Sequence, residues 1–320
     1  MLILCVGQLV ADIVVRPVAR LPVSGRTDLV EDLQLLSGGC AANTAAVLAK
    51  LGAETRLAAL IGRDILGDAV LADLKAAGVR LEAVVRDAAA PTTAALVMVS
   101  PTGERSFFYR RGGNEQLANH HLPDTVLKSA SLVHVGGAMK LINLDLAELL
   151  ERAKSFSCVT SLDTDWDVQG DWMKKLAGAL PKLDYLLTNQ EEAAMLTGEQ
   201  APRDAARKLL ARGPQAVVVK RGECGALLAT PSGVTEFPAF RVKVRDTTCA
   251  GDCFAAGFLL GISRGWPLDQ SLRLANAAGA LSTTQISHRA ITSLNDLQRL
   301  IETQSLPATL NPQPSTRNRP

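Results

Sequence analysis

The chain has 320 residues, of which 47% are hydrophobic and 21% charged, so it has enough apolar surface for one large domain or two ordinary ones. This composition excludes global disorder. The formal net charge is only +2, and the sequence contains neither a block of Lys or Arg nor an apolar stretch of membrane-spanning length. We therefore expect no nucleic-acid or membrane partner, which leaves small molecules.

Segments with strand and helix character alternate along most of the chain. The clearest predicted strands are residues 2–6, 56–61, 131–135, 158–162, 185–188 and 216–219. Helices are predicted over residues 40–51, 66–77, 144–155, 172–180, 191–196, 204–212, 268–281 and 293–303. The first fifteen residues include Asp12 and lack a basic start, so we interpret them as a buried strand rather than a signal peptide. Such alternation predicts the α/β class, with a mainly parallel sheet between helices.

Two stretches break this alternation and have the pattern of antiparallel ribbons: residues 13–36, and residues 92–111 with a turn at 101–104. Because such ribbons do not fit into a parallel sheet, we predict that they form a small β-sheet lid that closes over a substrate and excludes water. An ordinary β-extension that mediates dimerisation is the alternative, and the two roles can coexist. Residues 305–320, rich in Pro, Asn, Ser and Thr, are predicted to be a disordered tail after a domain spanning 1–304.

The cysteines indicate a reducing environment. Six occur, at positions 5, 40, 158, 224, 249 and 253, without a CxxC pair or the Cys/His spacing of a zinc site. We expect free thiols in a cytoplasmic protein. Cys249 and Cys253 are four residues apart, but no His lies nearby to make them a metal site.

The most informative segment is residues 246–252, which read Asp-Thr-Thr-Cys-Ala-Gly-Asp and precede an apolar helical run. A small-residue loop that opens a helix presents free backbone N–H groups and the positive end of the helix dipole, which together bind anions. Asp252 in that turn is placed to accept a proton from a hydroxyl during phosphoryl transfer. The alternative is that Asp252 only caps the helix.

Several motifs in the same order resemble the PfkB or ribokinase-like family of carbohydrate and nucleoside kinases, over about residues 1–300. Residues 38–45 are similar to the family's glycine pair and Asn-containing helix, and residues 246–252 to its DTxGAGD motif. The resemblance implies a three-layer α/β/α fold, ATP and Mg²⁺ as cofactors, and Asp252 as catalytic base. It also implies an anion hole formed by the backbone of Cys249, Ala250 and Gly251.

The acceptor side follows from the first of these motifs. Gly38 and Gly39 allow close approach of the backbone to a ligand, and Asn43 offers both a donor and an acceptor to a polyol. Asp12, which follows the first strand, is suited to two adjacent hydroxyls. The resemblance implies that Asp12, Gly38, Gly39 and Asn43 hold the sugar, whereas each motif alone is compatible with a helix-entry turn.

The nucleotide side is implied by further matches. Asn189 and Glu192 are similar to the family's NxxE element, which positions Mg²⁺ through water and the phosphates, although the same pair also fits a simple capping box. Lys220 and Gly222 follow an apolar strand, where Lys meets phosphate as a point charge and Gly leaves room for the nucleotide. Asn276 matches a position that contacts the adenine nucleotide.

The sequence also departs from the family pattern. Cys249 replaces the usual Gly of the anion hole, which is tolerable if its φ is negative, and it introduces a thiol that can be oxidised at a helix N-terminus. Asp163 matches the start of the family's Asp-x-Asn-x-Arg segment, but Asp165 and Asp167 replace its Asn and Arg. Asp246 and Thr248 match part of a monovalent-cation site in the family, so K⁺ is a candidate cofactor.

Three functions stay open, and for the first of them the kind of sugar is open as well. Tyr109 and Arg111 lie in the predicted lid, where an arginine suits an acidic sugar, while solvated arginines leave a neutral ketohexose or pentose. We expect an ATP-dependent sugar or sugar-acid kinase that transfers the γ-phosphoryl group to a primary hydroxyl, as a homodimer formed through the lid. A nucleoside kinase that sandwiches a base between aromatics is one alternative, and a nonenzymatic ligand-binding regulator is the other.

Overall fold

The computed structural model describes residues 1–286 and 290–304. Its strands are β1 (Ile3–Gly7), β2 (Val10–Arg16), β3 (Asp32–Gly38), β4 (Thr55–Ala58), β5 (Leu60–Gly62), β6 (Val85–Asp87), β7 (Ala94–Val99), β8 (Arg105–Arg110), β9 (Leu132–Gly136), β10 (Val159–Asp163), β11 (Tyr185–Asn189), β12 (Ala216–Lys220), β13 (Ala226–Thr230) and β14 (Gly233–Phe237). The predicted tail, residues 305–320, lies outside the described residues.

The helices are α1 (Cys40–Lys50), α2 (Ile65–Ala76), α3 (Gly113–Gln116), α4 (Asp124–Lys128), α5 (Leu146–Ser155), α6 (Trp172–Leu176), α7 (Gln190–Thr197), α8 (Pro202–Leu210), α9 (Ala250–Ser263), α10 (Leu268–Ser282) and α11 (Leu294–Thr303). None of the helices in the described part of the chain is long and apolar enough to cross a membrane.

The central sheet has eight strands in the order β14-β13-β12-β11-β10-β9-β1-β4. The six from β12 to β4 run parallel, and β13 and β14 add an antiparallel edge. The predicted mainly parallel sheet is therefore confirmed. Because parallel strands end at the same edge, residues that close neighbouring strands, such as Asp163, Asn189 and Lys220, meet there.

Helices cover both faces of this sheet, which confirms the three-layer α/β/α fold. Side chains alternate along β1, so that Ile3 and Cys5 pack in one core with α1, α9 and α10, while Leu4 and Val6 pack in the other with α5 and α8. All five residues of β1 are buried, as expected for a strand covered on both faces.

The two predicted ribbons leave the central sheet and form one small sheet, in the order β3-β2-β7-β8. β2 pairs antiparallel with β3, and β7 pairs antiparallel with β8. The ribbons join through a parallel pairing of β2 with β7, which the local sequence pattern did not indicate. The ribbon prediction also started too late, because β2 begins at Val10.

Two local predictions differ from the structure, and one hairpin was missed. The strand predicted over 56–61 is two strands, because β5 departs at Leu60 to pair with β6 in a separate sheet. The helix predicted over 172–180 ends at Leu176, and a 3₁₀ turn (Leu180–Lys182) that contains Pro181 follows. The hairpin of β13 and β14 was not predicted.

Candidate active site

The loop at residues 246–249 leads directly into α9. Cys249 is the N-cap, with φ 53° in the left-handed region, so the condition of a negative φ, under which a cysteine is tolerable here, is not met. A non-glycine residue in that region costs roughly 1–2 kcal/mol, which gives a physical reason for glycine at this position in the motif. Asp252 lies in the first turn rather than at the cap. Its carboxylate is therefore available for contacts away from its own helix.

The Asp252 carboxylate contacts the N-terminal motif. Asn43 Nδ2 donates to Asp252 Oδ2 at 2.8 Å, and Thr44 Oγ1 donates to the backbone oxygen of Asp252 at 3.3 Å. Helix α1, which carries Asn43, therefore packs against the start of α9. The two motifs, about two hundred residues apart in the chain, form one site.

The electrostatic surroundings of Asp252 favour its protonated form. Burial raises its pKa, and the charges of Asp163 and Asp165 add to this effect, while the Asn43 hydrogen bond and Lys220 oppose it, giving a pKa of about 7. A carboxylate with a pKa near neutrality exchanges a proton readily at physiological pH.

A cleft of about 110 Å³ separates this loop from the lid. Its lining comprises both core-side and lid residues: Asp12, Val14, Arg16, Leu36, Ser37, Asn43, Val97, Val99, Gly103, Arg105, Phe107, Arg245, Asp246, Thr248 and Ile286. Burial raises the pKa of Asp12 to about 6, although the charge of Lys140 opposes the shift. Thus two carboxyl groups with raised pKa values, Asp12 and Asp252, lie close to Asn43.

The predicted glycine pair shapes this side of the cleft. A side chain at Gly38 would overlap the carboxylate of Asp12, and Gly39 has a φ of 94° with its backbone against Gln8. Asn43 itself is buried, and within residues 1–286 and 290–304 its Oδ1 has no hydrogen-bond partner. A buried, unsatisfied amide oxygen is an acceptor for a ligand hydroxyl.

The two predicted lid ligands both lie outside the cleft lining. Tyr109 is 42% exposed; burial raises the pKa of its hydroxyl, and a hydrogen bond with Asn114 opposes the shift. Arg111 is exposed and lies outside the cleft lining. Its neighbour Arg110 points to the base of the lid, where it donates to Thr92 O at 2.7 Å.

Nothing in the sequence indicated an ion pair on the acceptor side. Lys140 Nζ lies 2.9 Å from Asp165 Oδ2, which also accepts from Gln8 Nε2 at 2.9 Å. Asp165 adopts a left-handed φ of 73°. For Asp165, the sequence indicated only that an Asp replaces the family's Asn. For Lys140, which lies in a turn after β9, nothing in the sequence indicated a role in the site.

On the nucleotide side, the predicted capping box is present. Asn189 Oδ1 accepts from Glu192 N at 2.8 Å, and Asn189 N donates to Glu192 Oε2 at 3.2 Å. Glu192 is buried and also accepts from Thr164 Oγ1. Burial raises its pKa, while Lys220 opposes the shift.

The donors fit a water-mediated Mg²⁺ site rather than a protein cage. Within the described ranges, no group of three His, Cys, Asp or Glu side chains is arranged to hold a metal ion. Mg²⁺ usually keeps several waters and takes one or two carboxylates plus substrate phosphates, which suits the single carboxylate of Glu192.

Lys220 ends β12 and forms an ion pair with Asp163, its Nζ lying 2.7 and 2.6 Å from the two carboxylate oxygens. Burial opposes the charge, but Asp163 and Glu192 outweigh it, so the pKa of Lys220 is raised. A Cβ on Gly251 would lie 3.2 Å from Lys220 Nζ. The ammonium group is therefore beside the first turn of α9.

The remaining nucleotide-side predictions concern Gly222 and Asn276. Gly222 starts a 3₁₀ turn with a left-handed φ of 54°. Asn276 is buried in α10, and its amide donates to Phe237 O and Pro238 O at 3.4 and 3.3 Å. Asn276 thus supports the segment after β14.

The residues predicted for a monovalent cation have protein partners. Asp246 Oδ1 accepts from Thr248 N at 2.8 Å and also from the Thr248 hydroxyl. The Arg105 guanidinium, which sequence reasoning missed, lies 3.8 Å from the same oxygen. Asp246 and Thr248 therefore already have a positively charged side chain beside them, and the cation site stays a prediction.

The chain was compared with known proteins. A family model described as "pfkB family carbohydrate kinase" matches residues 1–294. The ATP-dependent ribose-1-phosphate kinase of Halopiger xanaduensis is 30% identical over 88% of this chain and 91% of that relative, and the probable fructokinase-5 of Arabidopsis thaliana is 28% identical over 95% and 98%. The structure of Arabidopsis thaliana ribokinase complexed with ribose and ATP superimposes with a TM-score of 0.81 at 26% identity, covering 94% of this chain and 98% of that one.

Proposed function

The chain belongs to the pfkB family of carbohydrate kinases, and on this premise we propose that it transfers the γ-phosphoryl group of ATP to a primary hydroxyl of a small sugar or sugar acid. The observation that carries the proposal is the position of Asp252. Its carboxylate accepts from Asn43 Nδ2 at 2.8 Å, it lies in the first turn of α9, and its pKa is raised to about 7.

In this mechanism, Asp252 accepts the proton of the attacking hydroxyl. The backbone N–H groups at Ala250 and Gly251, at the positive end of α9, stabilise the charge on the transferring group. Lys220 contributes a point charge beside Gly251. Glu192 is the residue that would orient the water shell of Mg²⁺, which when bound would neutralise phosphate charge.

The acceptor end of the cleft supports a polyol. Asp12 and the unsatisfied Oδ1 of Asn43 accept hydrogen bonds, and the Lys140–Asp165 pair places further polar groups near Tyr109. For an acidic sugar, Arg245 is better placed than Arg111, because it lines the cleft. The lid sheet forms the opposite wall and, by closing, would exclude water.

A nucleoside kinase is the second candidate, because one aromatic side chain faces the cleft. Phe107 lines it and is 57% exposed, which leaves its ring free to stack on a base. Trp166 is less available, since its ring packs edge-on against Trp172 with centroids 5.1 Å apart. A nonenzymatic regulator is disfavoured by the intact arrangement around Asp252.

We also propose that the protein is a cytoplasmic homodimer formed through the lid. Leu33 and Leu35 on β3 are 65% and 38% exposed, and Phe108 on β8 is 57% exposed. Exposed apolar side chains on a small sheet are typical of association surfaces. Within residues 1–286 and 290–304, none of the six cysteines forms a disulfide bond, which supports a reducing compartment.

The test is a coupled ADP-release assay with ATP, Mg²⁺ and a panel of neutral sugars, sugar acids, sugar phosphates and nucleosides. The proposal expects one sugar or sugar acid to give the highest kcat/KM and a stoichiometric phosphorylated product by mass spectrometry. Highest activity with a nucleoside would favour the second candidate. If none of the acceptors in the panel stimulates ADP release, the proposal is contradicted.

A further inference from the structure

Arg105 connects the lid to the loop that precedes α9. It is the first residue of β8 and pairs with Val99 across the hairpin. The hairpin turn is closed by Ser100 N donating to Glu104 O at 2.8 Å and Gly103 N donating to Ser100 O at 2.9 Å. The backbone of Arg105 is therefore fixed to the lid sheet.

The Arg105 side chain crosses the cleft and contacts three consecutive residues of the other wall. Nη2 donates to Thr247 Oγ1 at 3.3 Å, Nη1 donates to the Thr248 hydroxyl, and Nη1 lies 3.8 Å from Asp246 Oδ1. The side chains of Arg105 and Asp246 are 26% and 19% exposed. These are contacts of a partly buried group, which solvent screens less than a surface pair.

The contacted loop sets the position of the anion hole. Ala250 N donates to Thr247 O at 3.3 Å, and Thr248 N donates to Asp246 Oδ1 at 2.8 Å. Cys249, between them and α9, has the unfavourable left-handed φ of 53°. A shift of Thr247 or Thr248 therefore moves the first N–H groups of α9, and a strained residue adjoining them makes the geometry dependent on outside support.

A guanidinium group suits this role better than an ammonium group. Its rigid planar fork donates to two hydroxyl groups at once and stays charged at every physiological pH. Since it belongs to the lid, it makes these bonds only while the lid is over the cleft. Opening the lid would remove two hydrogen bonds and one positive charge from the loop.

We propose that Arg105 is a positioning residue that couples lid closure to formation of the anion hole. The inference rests on the proposed kinase function. With the acceptor bound and the lid closed, Arg105 holds Thr247 and Thr248 so that the N–H groups at Ala250 and Gly251 point at the transferring group. With the lid open, the loop relaxes, and transfer of the phosphoryl group to water is suppressed.

The test compares wild type with Arg105→Gln, Arg105→Lys and Thr248→Val, using the best acceptor from the panel. Removal of a positioning contact that acts in the transition state lowers kcat by about 30- to 100-fold, with KM for ATP within about twofold. Arg105→Lys has less than about a third of the wild-type kcat, because an ammonium group lacks the planar guanidinium that donates to two hydroxyl groups at once. The matched control is Glu104→Gln, which changes one charge on the same hairpin at an exposed residue and retains wild-type kcat.

Two further readouts separate positioning from a purely structural role. The loss of kcat in the double variant Arg105→Gln/Thr248→Val, expressed as a free energy, is smaller than the sum of the two single losses, because both substitutions remove the Arg105–Thr248 contact. Hydrogen exchange of the amides at 247–252 slows when acceptor and ATP analogue are added to wild type, but not to Arg105→Gln. Matched thermal midpoints confirm that the variants fold.

Three results would overturn the inference: unchanged kcat in Arg105→Gln, additive losses in the double variant, or a large rise in acceptor KM with kcat intact. The last would make Arg105 a direct acceptor ligand. Wild-type enzyme that phosphorylates no acceptor would instead refute the proposed function. Wild-type turnover with insensitive Arg105 variants refutes this inference alone.

Discussion

The two sides of Asp252 are each built around one lysine–aspartate pair, but they are assembled in different ways. On the nucleotide side, Lys220 and Asp163 end strands of the same sheet and meet at 2.6 Å. On the acceptor side, Lys140 and Asp165 come from a turn after β9 and a left-handed residue after β10, and meet at 2.9 Å. The first pair follows from sheet register, whereas the second depends on loops.

This difference explains the electrostatics of the centre. Each lysine has a carboxylate of its own, and within the described ranges no ion pair satisfies Asp252 or Asp12. Their pKa values are consequently raised to about 7 and about 6, chiefly by burial. The two pairs thus neutralise the walls of the site while its reactive carboxyl stays ready to bind a proton.

Among the effects that distinguish the two sides, the largest is expected on the nucleotide side. Lys220→Met removes the charge beside Gly251, and we expect kcat/KM for ATP to fall by at least about a hundredfold, since charge stabilisation in a buried site is strong. Acceptor affinity, measured by isothermal titration calorimetry without ATP, should change by less than about threefold.

Lys220→Met also leaves Asp163 buried without its partner, which destabilises the fold. The control is Lys220→Met/Asp163→Asn, which should recover thermal stability but not activity. Recovery of both would show that Lys220 acts only through folding, and that the nucleotide side is not electrostatically specialised.

A smaller effect, confined to the other side, is expected from Lys140→Met. Because Lys140 lies near Asp12 and Tyr109, its loss should raise acceptor KM by about 10- to 30-fold while KM for ATP changes little. Steady-state kinetics with each substrate varied in turn provides the measurement. An equal rise in both KM values would mean that the two sides do not work independently.

The dependence of kcat/KM on pH separates the titration of Asp252, at the centre of the site, from that of Asp12, on the acceptor side. Because a base must be unprotonated, log kcat/KM should fall with a slope of about one below pH 7, as Asp252 is protonated, and more steeply below pH 6, as Asp12 follows. Asp12→Asn should remove the steeper limb and leave the first. A profile that stays flat from pH 8 to 5.5 would argue against a base with a raised pKa.

The smallest effect concerns the strained residue between the two sides. Cys249→Gly removes the left-handed penalty, so we expect equal or slightly higher stability, by up to about 1 kcal/mol, with kcat within about twofold. Chemical denaturation measures the difference. A tenfold loss of kcat would show that the Cys249 side chain, rather than its backbone, takes part in the reaction.

The sequence was sufficient for the parts of the site that rest on local signals. The α/β alternation predicted the parallel sheet, and the resemblance to the family implied a nucleotide side at Asn189 and Lys220, a role that stays a prediction. The glycine pair, Asn43 and Asp252 were recognised from motifs. These signals work because capping, turn conformation and strand register depend on neighbours in the chain.

The rest depends on contacts between distant segments. Arg105 reaches Thr247 and Thr248 only because the hairpin of β7 and β8 folds over the loop. Lys140 lies at the acceptor side because it contacts Asp165, which also accepts from Gln8. Arg111 lies outside the cleft lining. No local pattern encodes which side of a ribbon faces a cleft.

The most direct test of the account is Asp252→Asn, measured by single-turnover phosphoryl transfer and by equilibrium binding of ATP and acceptor. The variant keeps the shape of the side chain but cannot accept the proton. The account predicts a loss of at least about a thousandfold in the transfer rate, with both dissociation constants within about threefold. A rate within tenfold of wild type, or the loss of binding together with the rate, would contradict the role of Asp252 as base.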